Sequence, residues 1–130
     1  MRTSLIRSAL ATCLVAVAAV TGCGSDSPTG SGGGGGDISI SVSSGTTPDY
    51  SWGGGNVYSL SIMRTAAPTT IVWGVVTPAS NGVASPTKHG TVATGVIRSA
   101  NVEPTLTAGV QYRVTVARLD GKSGWKEFTP

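Results

Sequence analysis

The sequence has few of the residues from which metal and catalytic sites are usually built. Its 130 residues include one histidine and two cysteines, and both cysteines precede residue 24. A zinc ion needs three or four ligands of such kinds, so one histidine without a free cysteine predicts no zinc site. His89 stands in the stretch SPTKHGTV, and the G-x-S-x-G motif of a serine hydrolase is missing. We expect His89 to be an ordinary loop histidine.

Carboxylates are also scarce and widely separated. Charged residues make up 12% of the chain, and four of the six acidic ones stand near turns and strand ends: Asp49, Glu103, Asp120 and Glu127. A glycosidase needs two carboxylates on either side of one bond, and sequence spacing does not reveal such a pair. An enzyme is therefore the least favoured class, and we predict no catalytic residue, no cofactor and no metal site.

The charge balance does not favour a nucleic acid as partner. Seven basic and six acidic residues stand from Cys23 onward, which leaves a charge near +1. The +3 of the whole chain owes two charges to Arg2 and Arg7. A nucleic-acid surface needs a basic stripe with interleaved aromatic residues, and aromatic residues are only 5% of the chain.

The first residues follow the pattern of a secretory signal. Arg2 and Arg7 give a positive start, residues 9–20 are apolar, and small residues close the segment before Cys23. This order is typical of an exported protein. The apolar stretch falls short of the roughly 20 residues that span a bilayer as a helix. We predict a signal peptide over residues 1–22 and no transmembrane segment.

The end of this segment, Val20-Thr21-Gly22-Cys23, resembles the lipobox of bacterial lipoproteins. The resemblance implies cleavage before Cys23 and a diacylglycerol on its thiol, and two or three acyl chains give lasting anchorage where one does not. Gly24 follows Cys23. In this family an aspartate at that position favours retention of the lipoprotein in the inner membrane. The implied location is the bacterial cell envelope, lipid-anchored, with the outer membrane favoured. A simple secretory signal with an incidental cysteine remains the alternative.

Residues 23–36 are predicted to be a lipidated cysteine followed by a flexible linker. The stretch GSDSPTGSGGGGG has almost nothing to bury, and such Gly/Ser-rich segments behave as coils. Cys13 would leave with the signal and Cys23 would carry lipid, so no disulfide is expected in residues 37–130. We therefore expect the domain to depend on its apolar core alone.

Residues 37–130 read as one all-β domain, a single antiparallel β-sandwich of about seven strands. Apolar residues alternate with polar ones in the stretches DISISV, NVYSLSIM, TTIVWGVV and GVQYRVTVARL. This period of two is typical of strands packed on one face. In the third stretch it places Ile71, Trp73 and Val75 on one face. Clusters of Gly, Pro, Asn and Ser separate the stretches, and Asp120-Gly121 predicts a tight hairpin turn.

Two stretches resemble the fibronectin type III family. LTAGVQYRVTVARLDGKSG, residues 106–124, is similar to the pattern leading through strand F of that family to strand G. The resemblance implies a tyrosine corner, in which the Tyr112 hydroxyl bonds backbone a few residues upstream, with Leu106 buried and Gly109 at the turn. PDYSW, residues 48–52, is similar to strand B ending in a core tryptophan. Residues 66–93 depart from the family pattern.

By this resemblance the domain is a membrane-anchored binding or spacer module for protein interaction or adhesion. Loops at one end of a sandwich are the expected binding surface. The alternative is a carbohydrate-binding module, because flat exposed tryptophans suit sugar stacking; Trp52 and Trp73 are expected in the core. An envelope protein or glycan is the expected partner, and the candidate binding residues are Gly53, Gly54, Gly55, Asn56, Asp120, Gly121, Lys122, Ser123 and Trp125.

Overall fold

The computed structural model describes residues 33–130. The predicted signal peptide, Cys23 and the linker up to residue 32 lie outside this range. Nine strands follow one another: β1 Gly34–Gly36, β2 Ile40–Val42, β3 Asp49–Trp52, β4 Ser59–Arg64, β5 Ala67–Val76, β6 Thr87–Lys88, β7 Ile97–Asn101, β8 Tyr112–Ala117 and β9 Ser123–Phe128. Residues 33–130 contain no helix that would be long and apolar enough to span a bilayer.

The strands form two antiparallel sheets that pack face to face as a β-sandwich. The large sheet has six strands in the order β1-β9-β8-β4-β5-β7, and the small sheet has three in the order β2-β3-β6. The predicted all-β, antiparallel sandwich is therefore confirmed. Nine strands replace the expected seven or so partly because β1 and β6 are only three and two residues long, too short for an alternating pattern to show.

The core consists of the apolar side chains that point inward from strands with alternating apolar and polar residues. Leu60, Ile62, Val114 and Val116 are fully buried, and each such side chain contributes roughly 1.5–3 kcal/mol on leaving water. Large aromatic rings complete the interior, as expected for two of the three tryptophans. The buried aromatic residues are Tyr50, Trp52, Trp73, Tyr112 and Phe128.

The prediction that Ile71 shares the buried face of β5 with Trp73 is wrong. Trp73 is buried, but Ile71 is 40% exposed and Val72 is buried instead. The register explains the change: Ile62 of β4 pairs with Trp73, whereas the next residue, Met63, pairs with Ile71. Val72 is thus the extra residue of a β-bulge, and one extra residue moves the side chains beyond it to the opposite face of the sheet.

The domain begins three residues earlier than the sequence indicates. Gly34–Gly36, expected in the linker, form β1 and pair with β9 along the edge of the large sheet. Glycine is required at Gly36, which has φ of +96° and where a Cβ would lie 2.5 Å from the Ser123 carbonyl oxygen. A Cβ on Gly35 would lie 3.2 Å from Trp125 Nε1, a tight contact. Only glycine takes such a φ readily while letting backbone approach so closely.

The register gives the sandwich two poles. We call the end at Ala117, where β8 turns toward β9, the loop pole, and the end at Tyr112 the far pole. Tyr112 pairs with Phe128, and the neighbouring Glu127 donates its N–H to the Gly33 carbonyl at 2.8 Å. The described chain therefore starts at the far pole, opposite the β8–β9 turn.

Candidate functional site

The two loops proposed from sequence for binding meet at the loop pole. Arg118, directly after β8, donates a hydrogen bond from Nη1 to the carbonyl of Gly54. Its Nε lies 3.6 Å from the Asp120 carboxylate, and its backbone N–H donates to the Lys122 carbonyl. One arginine therefore joins the β3–β4 loop to the β8–β9 turn, and holds the turn closed.

A third loop, residues 77–82, joins this cluster. Leu119 donates its N–H to Asn81 Oδ1 at 3.0 Å. Thr77 Oγ1 donates to the Ser80 carbonyl and accepts the N–H of Gly82, each at 2.9 Å, so the loop is internally braced. We define the loop cluster as residues 53–56, 77–82 and 118–122.

The surface of the loop cluster is mostly exposed backbone and small polar groups. Residues 53–56 and 119–122 are all exposed, and Leu119 presents a large apolar side chain that is 53% exposed. Sequence reasoning missed Arg118, Leu119 and Asn81. An apolar residue beside the Asp120-Gly121 turn was the available signal for Leu119; no local signal shows that Asn81 reaches it.

Trp125 and Ser123 are not loop residues. Ser123 is the first residue of β9, and Trp125 lies on the outer face of the large sheet beside β1. The Arg113 guanidinium lies over the indole, 4.3 Å from the ring centroid, and Arg113 also pairs with Glu127 at 2.6 Å. The half-buried Trp125 ring is thus already in contact with an arginine and with the glycines of β1.

His89 lies in the turn after β6, but it is a core residue, only 2% exposed. Its ring centroid lies 4.7 Å from that of Trp73. Nε2 lies 2.8 Å from the Glu103 carbonyl oxygen, and because a carbonyl only accepts, Nε2 must carry the proton. The bare Nδ1 then accepts from the Tyr50 hydroxyl at 2.9 Å. Burial lowers the pKa of His89 below its ordinary value.

Glu103 links His89 to the side chains of the far pole. Its carboxylate accepts from Arg64 Nε at 2.7 Å and from the Tyr112 hydroxyl at 2.6 Å. Burial alone would raise the pKa of Glu103, but these two hydrogen bonds outweigh it and hold the pKa below its ordinary value. Both nitrogens of His89 and both oxygens of Glu103 are therefore used within the fold.

The segment before β8 forms a tight corner. The Tyr112 hydroxyl accepts the backbone N–H of Thr107, five residues upstream, at 3.0 Å. Leu106 is 3% exposed, and Gly109 has φ of +78°. The Tyr112 hydroxyl thus accepts a hydrogen bond from the Thr107 N–H and donates one to the Glu103 carboxylate.

Replacing Tyr112 with phenylalanine is expected to lower the free energy of unfolding by about 1–3 kcal/mol, because the Thr107 N–H and the Glu103 carboxylate each lose a partner. Urea denaturation measures the loss. Tyr58→Phe is the matched control, since within residues 33–130 only the backbone groups of Tyr58 form hydrogen bonds. Equal stability of the two variants would contradict the importance of the corner.

No group suited to acylation or metal chemistry emerges from the described part of the chain. The Ser-x-x-Lys spacing of some acylating enzymes occurs at residues 85–88 and 123–126, but neither stretch is helical, and Ser85 Oγ accepts the N–H of Trp52. Across residues 33–130 no three His, Cys, Asp or Glu side chains gather as a metal site would require.

Comparisons with known protein families, curated proteins and solved structures found no match to this chain.

Proposed function

We propose that this protein is a membrane-anchored lipoprotein of the bacterial cell envelope whose β-sandwich is a binding module for protein interaction. The observation that carries the proposal is the arrangement of the two poles. The loop cluster stands at one pole, joined by Arg118, and Gly33 leaves from the other. A module tethered at Gly33 presents its loops away from the tether.

The proposed tether has a length suited to this purpose. If Cys23 carries lipid, the predicted linker between it and Gly33 is nine residues long, and a Gly/Ser coil of that length spans roughly 16 Å on average. The domain then stands clear of the headgroups with its far pole toward the membrane. The loop cluster faces the space that a partner would occupy.

The fibronectin type III assignment of the sandwich is part of this proposal. The hydrogen bond between the Tyr112 hydroxyl and the Thr107 N–H supports it, as does Trp52 at the end of β3. In domains of this architecture the loops at one end are the usual binding surface. Because one fold hosts many functions, the binding function is proposed from the loop cluster and not from the fold.

The loop cluster is preferred over Trp125 as the binding surface. A sugar would need an open face of the indole for stacking, whereas Arg113 lies over that ring. An enzyme is less favoured still, because the only histidine of the chain has both ring nitrogens bonded inside the fold. Leu119, by contrast, offers exposed apolar surface among polar loops.

Photo-cross-linking in living cells tests this function. A photoreactive residue at Leu119 samples the loop pole, and one at the exposed Thr107 samples the far pole as the matched control. We expect one reproducible protein partner from position 119 and not from position 107. Capture is expected to be lost in the Cys23→Ala form, which is secreted without its anchor.

Other outcomes would replace the proposal. Glycans captured at Trp125 rather than proteins at Leu119 would make the domain a carbohydrate-binding module. No capture at either pole, from abundant folded protein, would make it a spacer. A mature mass without acyl chains would refute the anchor.

A further inference from the structure

The unequal widths of the two sheets leave a pocket between them. The small sheet has three strands against six, and its edge strand β6 has only two residues. Val75 of β5 lines this pocket together with Val92 and Val96, which precede β7. This pocket is open to solvent on one side and has a volume of about 340 Å³, within the range of small-molecule sites.

Most of the residues that line this pocket are apolar. Four valines share it, together with two alanines and a proline: Val75, Val83, Val92, Val96, Ala84, Ala93 and Pro86. At about 30 Å³ per water molecule, the space matches roughly ten waters. A ligand of about ten non-hydrogen atoms with an apolar body would fit.

The hydroxyl groups in the lining act as acceptors. Thr87 donates its hydroxyl proton to the Ala84 carbonyl and Thr91 donates to the Lys88 carbonyl, each at 2.7 Å. Because those protons are already used, each oxygen has only lone pairs left for a ligand. The pocket therefore favours a ligand that donates hydrogen bonds.

Two charged residues and Gly82, the last residue of the loop 77–82, also line the pocket. The Asp49 carboxylate lies 4.0 Å from Lys88 Nζ, and both side chains are about half exposed. At this distance and exposure the pair is weak, so the carboxylate remains free to accept from a second cation.

We propose that this pocket binds a small primary amine with an apolar body, its ammonium group directed to Asp49 and the threonine hydroxyls. The valines enclose the apolar body and Lys88 partly opposes the ligand charge. This site goes beyond the loop cluster and does not depend on the proposed function, since it needs neither the anchor nor a partner protein.

A series of probes with one apolar body and different head groups tests the site. We would titrate the purified full chain with phenethylamine, phenethyl alcohol and phenylacetate, following the valine methyl groups by NMR. The amine is expected to bind most tightly and the carboxylate least, with shifts at Val92 and Val96. The exposed Val102, outside the pocket, is the internal reference.

Variants of Asp49 and Lys88 should change the affinity for the amine in opposite directions. Asp49→Asn is expected to weaken amine binding by up to about fivefold, and Lys88→Gln to strengthen it by a similar factor, as for ion pairs near the surface. The alcohol should respond to neither. Asp120→Asn, at the loop pole, is the control for a lost carboxylate.

Filling the pocket should abolish binding. Ala93→Trp places a large ring in the lining, whereas Thr94→Trp adds the same ring to an exposed neighbour outside it. Binding that is lost only in Ala93→Trp supports the site. Equal affinity for amine and carboxylate, or unchanged amine binding in Asp49→Asn and Ala93→Trp, would overturn the proposal.

Discussion

Replacing Gly124 with alanine is expected to lower the free energy of unfolding by about 3 kcal/mol or more, the upper part of the range for overpacked sites. A Cβ on Gly124 would overlap the Ile38 carbonyl oxygen and lie 2.9 Å from its carbonyl carbon. Both are backbone atoms of the segment that crosses from β1 to β2, so no side-chain rotation relieves the contact. The crossing itself must move.

Gly53→Ala is the matched control for this substitution. Nothing lies within 4 Å of a Cβ built on Gly53, so its stability should stay within about 0.5 kcal/mol of the parent, as for ordinary surface changes. Urea denaturation followed by tryptophan fluorescence compares the two variants. Similar losses in both, or none in either, would show that the Ile38 crossing is not close-packed against β9.

Stability is expected to fall as the pH drops below 6.5, the ordinary pKa of histidine. Burial lowers the pKa of His89 in the folded protein, so the unfolded chain binds a proton first. The stabilisation from neutral His89 is complete above pH 6.5 and is lost as the pH falls toward the folded pKa. Within that window the loss is about 1.4 kcal/mol per pH unit.

The loss of stability on protonation of His89 has a specific structural origin. A proton on Nδ1 would face the Tyr50 hydroxyl, which now donates to that atom, and would put a charge beside Trp73 in the core. Because the chain has one histidine, this window belongs to His89 alone. The low pKa of Glu103 places its own loss of stability below pH 4.5.

Urea denaturation at intervals from pH 7.5 to 5 measures the effect. His89→Gln, whose amide retains a donor for the Glu103 carbonyl, should be less stable at pH 7.5 but should lack the slope between pH 6.5 and 5. A parent protein with flat stability over this interval, or a variant that keeps the slope, would contradict the assignment to His89.

The strands that sequence predicted well are those with a complete alternating pattern. In β8, Tyr112, Val114 and Val116 are buried while the residues between them are half exposed, because side-chain direction in a strand is a local property. The pattern failed in β5, where Val72 is extra. Whether a strand takes a bulge depends on its partner's register, which the strand's own sequence does not contain.

Long-range contacts account for the other differences between the sequence predictions and the structure. His89 stands among polar residues in sequence, yet Tyr50 and Glu103, 39 and 14 residues away, bring it into the core. Gly34–Gly36 look like linker because their fit depends on the Trp125 ring, far along the chain. The turn residues of the loop cluster were predictable, but their joining by Arg118 was not.

The glycine strand determines how the domain would carry mechanical load. A pull on Gly33 away from the loop pole runs along β1, so its hydrogen bonds to β9 are sheared together instead of opening one by one. If β1 detached, the load would pass to Asp37, whose N–H bonds the Ser123 carbonyl near the loop pole. The attachment point would then move to the end that carries the loops and, in the anchored form proposed above, the domain would reverse its orientation relative to the membrane.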